Sequence, residues 1–276
     1  MKATIPVKDH SVSKEDFVLE YDSTYHMYTT SPRPSLEKLP FYYESEDYIS
    51  HTDSKRSLFE RMYQMVKGIT LSRKQKLLKR FHPSLGSVLD IGAGTGDFLE
   101  YLLKSDWHTQ GVEPNESARN RAQEKGLVLR ENIDVVTDSF DVITMWHVLE
   151  HVYDLEKQIA WLKAHLTKEG TLFIAVPNFE SHDAQHYGSQ WAAYDVPRHL
   201  YHFSEESIKK LFLESGLKVI GTEPMKFDAY YVSLLSEKYR SGKMNFLRAL
   251  RVVWVSNRKA KTSGAYSSLI YIIKHV

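Results

Sequence analysis

The sequence predicts a doubly wound α/β fold, a mostly parallel sheet with helices on both faces. Three observations predict it. From Ser87 onward, short apolar runs alternate with segments of helical periodicity, the pattern of parallel strands joined by crossover helices. The first of these runs, Val88-Leu89-Asp90-Ile91, leads into the glycine-rich turn Gly92-Ala93-Gly94-Thr95-Gly96, with helix-compatible residues from Asp97 to Lys104 behind it. Such a turn puts backbone N–H groups where a nucleoside-type ligand can approach closely. Finally, 276 residues with 42% hydrophobic content suffice for one sizeable α/β domain with additions and fall short of two.

Composition narrows the classes of function. Lys plus Arg number 36 against 35 Asp plus Glu, so no polyanionic partner is expected and nucleic acid is disfavoured. With no cysteine, the chain has no disulfide, thiolate metal site or cysteine nucleophile. The N-terminal MKATIPVKDH lacks an apolar signal core, and no apolar run reaches the roughly 18 residues of a membrane span. A cytoplasmic protein is expected.

Taken in order, the elements begin with an N-terminal extension. Ser31-Pro32-Arg33-Pro34 interrupts regular structure there, and Phe41, Tyr42, Tyr43 and Tyr48 carry more aromatic surface than a disordered tail would. A helix is predicted from about Asp53 to Lys67, and the basic residues Arg73, Lys74, Lys76, Lys79 and Arg80 read as the solvated face of an amphipathic helix around Leu77, Leu78 and Phe81. Thr109 to Glu113 reads as the second strand, Asn115 to Lys125 as a helix closed by Gly126, and Leu127 to Leu129 as the third strand. Phe140 to Met145 is the fourth. Asp154 caps a helix whose Leu155, Ile159, Leu162 and Leu166 form a stripe, and Ser204 caps another carrying Ile208, Leu211 and Phe212. Leu217 to Thr222 and Ser267 to Lys274 are the last two strands, separated by an aromatic and basic segment of helical pattern, 227–264.

The glycine spacing selects the cofactor. A dinucleotide fingerprint G-x-G-x-x-G would need glycine at position 97, which is Asp97, so a nicotinamide oxidoreductase is opposed. Glu113 stands 23 positions after Asp90, where doubly wound folds place the carboxylate that accepts ribose hydroxyls. The acid and G-x-G-x-G of Asp90, Gly92, Gly94 and Gly96 resemble motif I of the class I S-adenosylmethionine (SAM) dependent methyltransferases. Phe140 to Val152 and Leu166 to Asn178 resemble their fourth and fifth strands, so the resemblance covers about residues 87–178. The pattern resembles that of the ubiquinone-biosynthesis-type small-molecule methyltransferases. The resemblance implies a Rossmann-like, seven-stranded, mostly parallel sheet whose last strand is antiparallel. It also implies S-adenosyl-L-methionine as cofactor, with Asn132 and Ile133 at the adenine and Trp146 and His147 lining the pocket. Residues 1–70 then form an extension, and 71–276 the SAM-binding domain with a helical insertion at 225–264. Both additions read as pieces of a lid.

Methyl transfer from a sulfonium is an in-line displacement, so the protein must align and desolvate two reactants and accept a proton if the nucleophile carries one. Positioning supplies about 7 to 11 kcal/mol of the barrier. A general base adds a factor of about 10² to 10⁴ for a hydroxyl nucleophile. His151 after the fourth strand, and His199 and His202 in the segment Trp191 to Ser204, are the candidate bases, expected near the reference pKa of about 6.5. The expected activity is methylation of a small-molecule acceptor, most favourably at a hydroxyl oxygen; the alternative is a non-catalytic SAM-binding recognition or regulatory protein. His147-Val148-Leu149-Glu150-His151 matches a zinc-peptidase spacing, but it follows directly from a buried strand. The related turn in the ubiquinone-type enzymes has a carboxylate where this chain has His147, so no metal site is assigned. Oligomeric state is left open.

Overall fold

The computed structural model describes residues 2–43 and 58–276, with side chains of the first long helix described from residue 66. The strands are β1 (Thr4–Lys8), β2 (Asp16–Asp22), β3 (Met27–Ser31), β4 (Ser87–Ile91), β5 (His108–Val112), β6 (Phe140–Trp146), β7 (Leu166–Pro177), β8 (Tyr201–His202), β9 (Leu217–Pro224) and β10 (Ser268–His275). The helices are α1 (Leu58–Phe81), α2 (Asp97–Leu103), α3 (Glu116–Glu124), α4 (Leu155–His165), α5 (His182–Tyr187), α6 (Glu205–Glu214), α7 (Asp228–Ser241) and α8 (Phe246–Ser263).

The main sheet runs β5-β4-β6-β7-β10-β9, with the first four strands parallel and β10 antiparallel to both its neighbours. Its strands are apolar on both sides because helices cover both faces. Leu89, Ile143, Ile174 and Tyr271 pack toward α4 and α6, while the alternating Val88, Val142, Phe173 and Ile272 pack toward α1 and α2. The N-caps behave as expected: Asp154 accepts from Lys157 N–H, and Ser204 forms a reciprocal capping box with Ser207.

Three sequence expectations are corrected. The main sheet has six strands among the described residues, because Leu127 to Leu129 does not form a strand. What remains is a single bridge at Arg130, whose N–H bonds to Gly111 O and whose carbonyl accepts Glu113 N–H, before Asn132 starts a 3₁₀ turn over Ile133–Val135. The stretch before Lys67 and the basic run after it belong to one continuous helix, α1. The N-terminal extension is a sheet of its own, ordered β1-β2-β3-β8, and its edge strand comes from the far end of the chain at Tyr201 and His202. Phe17, Leu19 and Tyr28 of this sheet share a core with Trp191 and Tyr194, and with Val252 of α8. Tyr48, His51 and the predicted helix start at Asp53 lie outside the described residues.

Candidate active site

The parallel strands end together at one edge, and the turns after β4, β5 and β6 meet there. Gly92, Gly94 and Gly96 all have positive φ, of 72°, 55° and 75°. A side chain at Gly92 would strike Val148 after β6, and one at Gly96 would strike Leu127, whereas a Cβ on Gly94 would project into open space. Two glycines therefore allow the turn to pack on its neighbours, and the third leaves a cradle. Glu113 closes it: one carboxylate oxygen accepts Gly94 N–H at 2.8 Å and the other Asn115 N–H at 2.8 Å. Asp97, in the place of the missing glycine, is held by Lys67 and Lys125, each at 2.7 Å. These features fit a nucleoside cofactor that lies along the turn and presents hydroxyls to Glu113. Asn132 and Ile133 lie just beyond the Arg130 bridge, near the end of β5; the Asn132 side chain accepts Asp134 N–H at 3.0 Å.

Beneath the turn, Asp90 is buried and accepts the Thr144 hydroxyl at 2.5 Å. Burial raises its pKa to about 6, against the Thr144 hydrogen bond and the nearby Lys74 ammonium. Burial lowers Lys74 to about 8, with Asp90 and Asp228 opposing that shift. The Lys74 ammonium sits 4.0 Å from the centre of the Trp146 ring, whose indole N–H is buried with no partner among the described residues.

His147, in the left-handed region at φ 58°, turns the chain after β6. Its Nε2 meets Asp228 Oδ2 at 2.8 Å and its Nδ1 meets Glu150 Oε1 at 3.3 Å. Burial disfavours its charge, but the two carboxylates outweigh that and raise the pKa to about 10, so the ring is an imidazolium tying the 225–264 insertion to the turn. Glu150 is 1% exposed, and apart from that pair neither of its oxygens receives a hydrogen bond among the described residues.

His151 and His199 come together beside Glu150, rings edge to face at 4.5 Å. The Nδ1 atoms lie against backbone carbonyls, Arg198 O at 3.1 Å for His151 and Ala193 O at 2.9 Å for His199. Each Nδ1 therefore donates to its carbonyl, and the uncharged ring of His151 leaves its Nε2 bare, while His199 Nε2 lies 4.0 Å from Asp195 Oδ2. The Tyr43 hydroxyl also reaches His151 Nδ1, at 3.1 Å. Burial and the facing His199 lower His151 to about 4, well under the reference value expected for it. Glu150, His151 and His199 each offer a donor atom within 4.8 Å of the others, a set able to hold a cation. His202 lies with its ring centre 6.4 Å from that of His199, but its Nε2 is engaged elsewhere. It sits in β8, its Nε2 is 2.9 Å from the Thr30 hydroxyl, and Thr30 in turn donates to His199 O at 2.6 Å. Burial lowers its pKa well below the usual range.

The segment between them is anchored by Arg198. Its buried guanidinium contacts Asp195 at 2.6 Å and Asp9 at 3.1 Å, and donates to Tyr42 O at 2.9 Å, which ties the N-terminal sheet to the site.

Residues 47–222 match the methyltransferase domain family. The chain belongs to that family. It is a class I SAM-dependent methyltransferase, with SAM as its cofactor. Among curated relatives, the ubiquinone biosynthesis O-methyltransferase of Actinobacillus pleuropneumoniae is 28% identical over 169 residues, 55% of this chain and 72% of that protein. The protein of the same name from Coxiella burnetii is 34% identical over 101 residues, 33% of this chain and 43% of that one. The fold resembles magnesium protoporphyrin IX methyltransferase from Synechocystis, with a TM-score of 0.57 at 13% identity and coverage of 85% and 97%. It also resembles the Burkholderia thailandensis 1,6-didemethyltoxoflavin-N1-methyltransferase, with a TM-score of 0.54 at 14% identity over 99% of both chains.

Sequence reasoning missed several residues of this methyltransferase's site. Lys74 was grouped with solvated cations, yet it falls three residues after Leu71 and four before Leu78, on the apolar face of α1, which was the available signal. Asp228 and Thr30 carried no local signal, because their partners are 81 and 172 positions away; Asp9 accepts from Ser11, Val12 and Ser13 in its own turn, but its site partner Arg198 is 189 positions away.

Proposed function

We propose that the methyltransferase transfers the methyl group to a hydroxyl oxygen of a small-molecule acceptor, whose proton leaves toward the His151–His199 pair. The observation that carries this reading is the bare Nε2 of His151, set beside the buried Glu150 carboxylate and facing the His199 ring. SAM, when bound, supplies an electrophilic methyl on a sulfonium centre. Backbone N–H groups of the Asp90 to Gly96 turn and the Glu113 carboxylate would hold the cofactor, with Asn132 and Ile133 at its adenine and Trp146 and His147 lining its pocket. His151 takes the proton, its charged form favoured by the Glu150 carboxylate, and His199 orients the ring by its edge-to-face contact. His202 is a positioning residue, acting on His199 through Thr30. Residues 1–70 and 225–264 form the lid over a domain spanning 71–276, and they exclude water through Tyr42, Tyr43 and Asp228. The names of the curated relatives support an oxygen acceptor.

The test is product analysis with SAM and a panel of phenols, amines and carboxylic acids. An O-methyl ether with stoichiometric S-adenosylhomocysteine is expected, and a product methylated only at nitrogen or carbon would overturn the assignment. A second reading places a divalent cation on Glu150, His151 and His199, favoured by their mutual approach within 4.8 Å. Loss of activity in chelator, restored by zinc or iron(II), would select it.

A further inference from the structure

The outer face of α8 has no partner among the described residues and has a composition that specifies one. Its inner face, Ala249, Val252, Val253, Ser256 and Ala260, is buried against the rest of the molecule. On the opposite side Phe246, Leu247, Leu250 and Trp254 are exposed, Leu247 at 82% and Trp254 at 61%. At 3.6 residues per turn these four fall within an arc of about 100°. Scattered exposed leucines need no explanation, but four large apolar side chains aligned on one helix face do.

Charge decides what covers this face. From Gly242 to Val276 the chain has no Asp or Glu, and α8 with the turn before it carries Lys243, Arg248, Arg251, Arg258, Lys259 and Lys261. Beside the apolar arc, Arg248 and Arg251 join Arg240 of α7 and His182 and His186 of α5 around an open cavity of about 500 Å³. None of the three arginines has an ion-pair partner among the described residues. The one acid lining the cavity, Glu237, is buried and accepts the Tyr187 hydroxyl at 3.3 Å. A second copy of this chain using the same face would bring like charges together. Anionic lipid instead satisfies both features, with phosphates at the guanidinium forks and acyl chains under the apolar arc. Among the described residues no helix is long and apolar enough to cross a membrane, so the contact lies in the plane of the surface.

We propose that α8 docks in the plane of an anionic bilayer, with Phe246, Leu247, Leu250 and Trp254 at the acyl boundary and the Arg240, Arg248 and Arg251 cavity taking a headgroup phosphate. The test is co-flotation of the full chain with phosphatidylcholine vesicles, with and without phosphatidylglycerol. Binding to the anionic vesicles should be tighter by on the order of a hundredfold, about fivefold per arginine, and should weaken as salt is raised. Leu247→Glu with Leu250→Glu should abolish flotation, and Arg248→Gln with Arg251→Gln should cut the preference for phosphatidylglycerol about 25-fold, at about fivefold per arginine. Trp254→Phe should leave flotation intact while removing a blue shift of the emission. All these side chains are outside the site, so SAM affinity and melting temperature report that each variant is folded. Equal binding to both vesicle types, or undiminished flotation of the folded Leu247/Leu250 variant, would overturn the proposal. So would a dimer in sedimentation that the same variant dissolves, since that would make the partner a second copy.

Discussion

The two halves of the candidate site, the glycine turn proposed for the cofactor side and the histidine cluster proposed for the acceptor side, are built over very different distances along the chain. Around the glycine turn the deciding contacts are short in sequence: Glu113 to Gly94 spans 19 positions, and Thr95 to Asp97 spans two. Around His151 they are long, with Tyr43 108 positions away, Thr30 172 from His202, and Asp9 189 from Arg198. The first region uses backbone N–H groups that any chain possesses once the turn is made. The second uses side chains from three separate segments, and each must be held by the others. The proposed acceptor side should therefore depend on global stability more strongly than the proposed cofactor side does.

The largest effect that would break this contrast is on rate. His151→Ala should lower turnover by about 10² to 10⁴ while leaving SAM affinity nearly intact. Steady-state kinetics beside a direct SAM titration checks it, and a loss below tenfold would mean that the acceptor arrives ionised and the acceptor side only positions.

Next is stability. Arg198 is 4% exposed and its removal leaves Asp9 and Asp195 without their cation. Arg198→Ala should cost about 3 to 5 kcal/mol in denaturant unfolding, as expected for breaking a buried charge network from one side. A cost under about 1 kcal/mol, within the range of exposed pairs, would show that the N-terminal sheet is not needed to hold this loop.

On the cofactor side, Glu113→Ala should weaken SAM binding by roughly 1.5 to 3 kcal/mol through lost charge-assisted hydrogen bonds. Titration calorimetry giving unchanged affinity in a folded variant would remove Glu113 from the pocket.

A smaller effect sharpens the same side. The folded pKa of Asp90, about 6, lies above its ordinary 3.8, so the ionised carboxylate destabilises the fold. That penalty is absent below the unfolded value and fully present above the folded one. Between about pH 4 and 6 this group makes stability fall as pH rises, because the folded state binds the extra proton. Asp90→Asn should flatten that part of the profile in thermal melts across pH; an unaltered slope would assign it elsewhere. The smallest change, Ser204→Ala, removes the capping box of α6 and should cost about 1 kcal/mol, read as a small drop in melting temperature.

Legibility followed the same division. The strand into Gly92, the caps at Asp154 and Ser204 and the alternation of elements after Ser87 were readable, because each rests on a pattern local to its own stretch of backbone. The third strand was misread, since apolar Leu127 to Leu129 satisfies a strand pattern while only Arg130 finds ladder partners on β5. His151 and His199 were marked as candidates from their places after β6 and β7, but nothing local separated them from His202, whose ring is committed to Thr30.

By itself the sequence determined the parallel core, the glycine turn and the class of cofactor, because hydrophobic period, glycine conformation and acid spacing act through the local backbone. Tertiary structure alone decided which histidines face one another, that Lys74 lies over Trp146 within reach of Asp90, and that His147 is charged between Asp228 and Glu150. The reason is electrostatic. A side chain's charge and proton affinity depend on burial and on partners a few ångströms away, and when those partners lie a hundred positions off in the chain only the folded packing brings them into range.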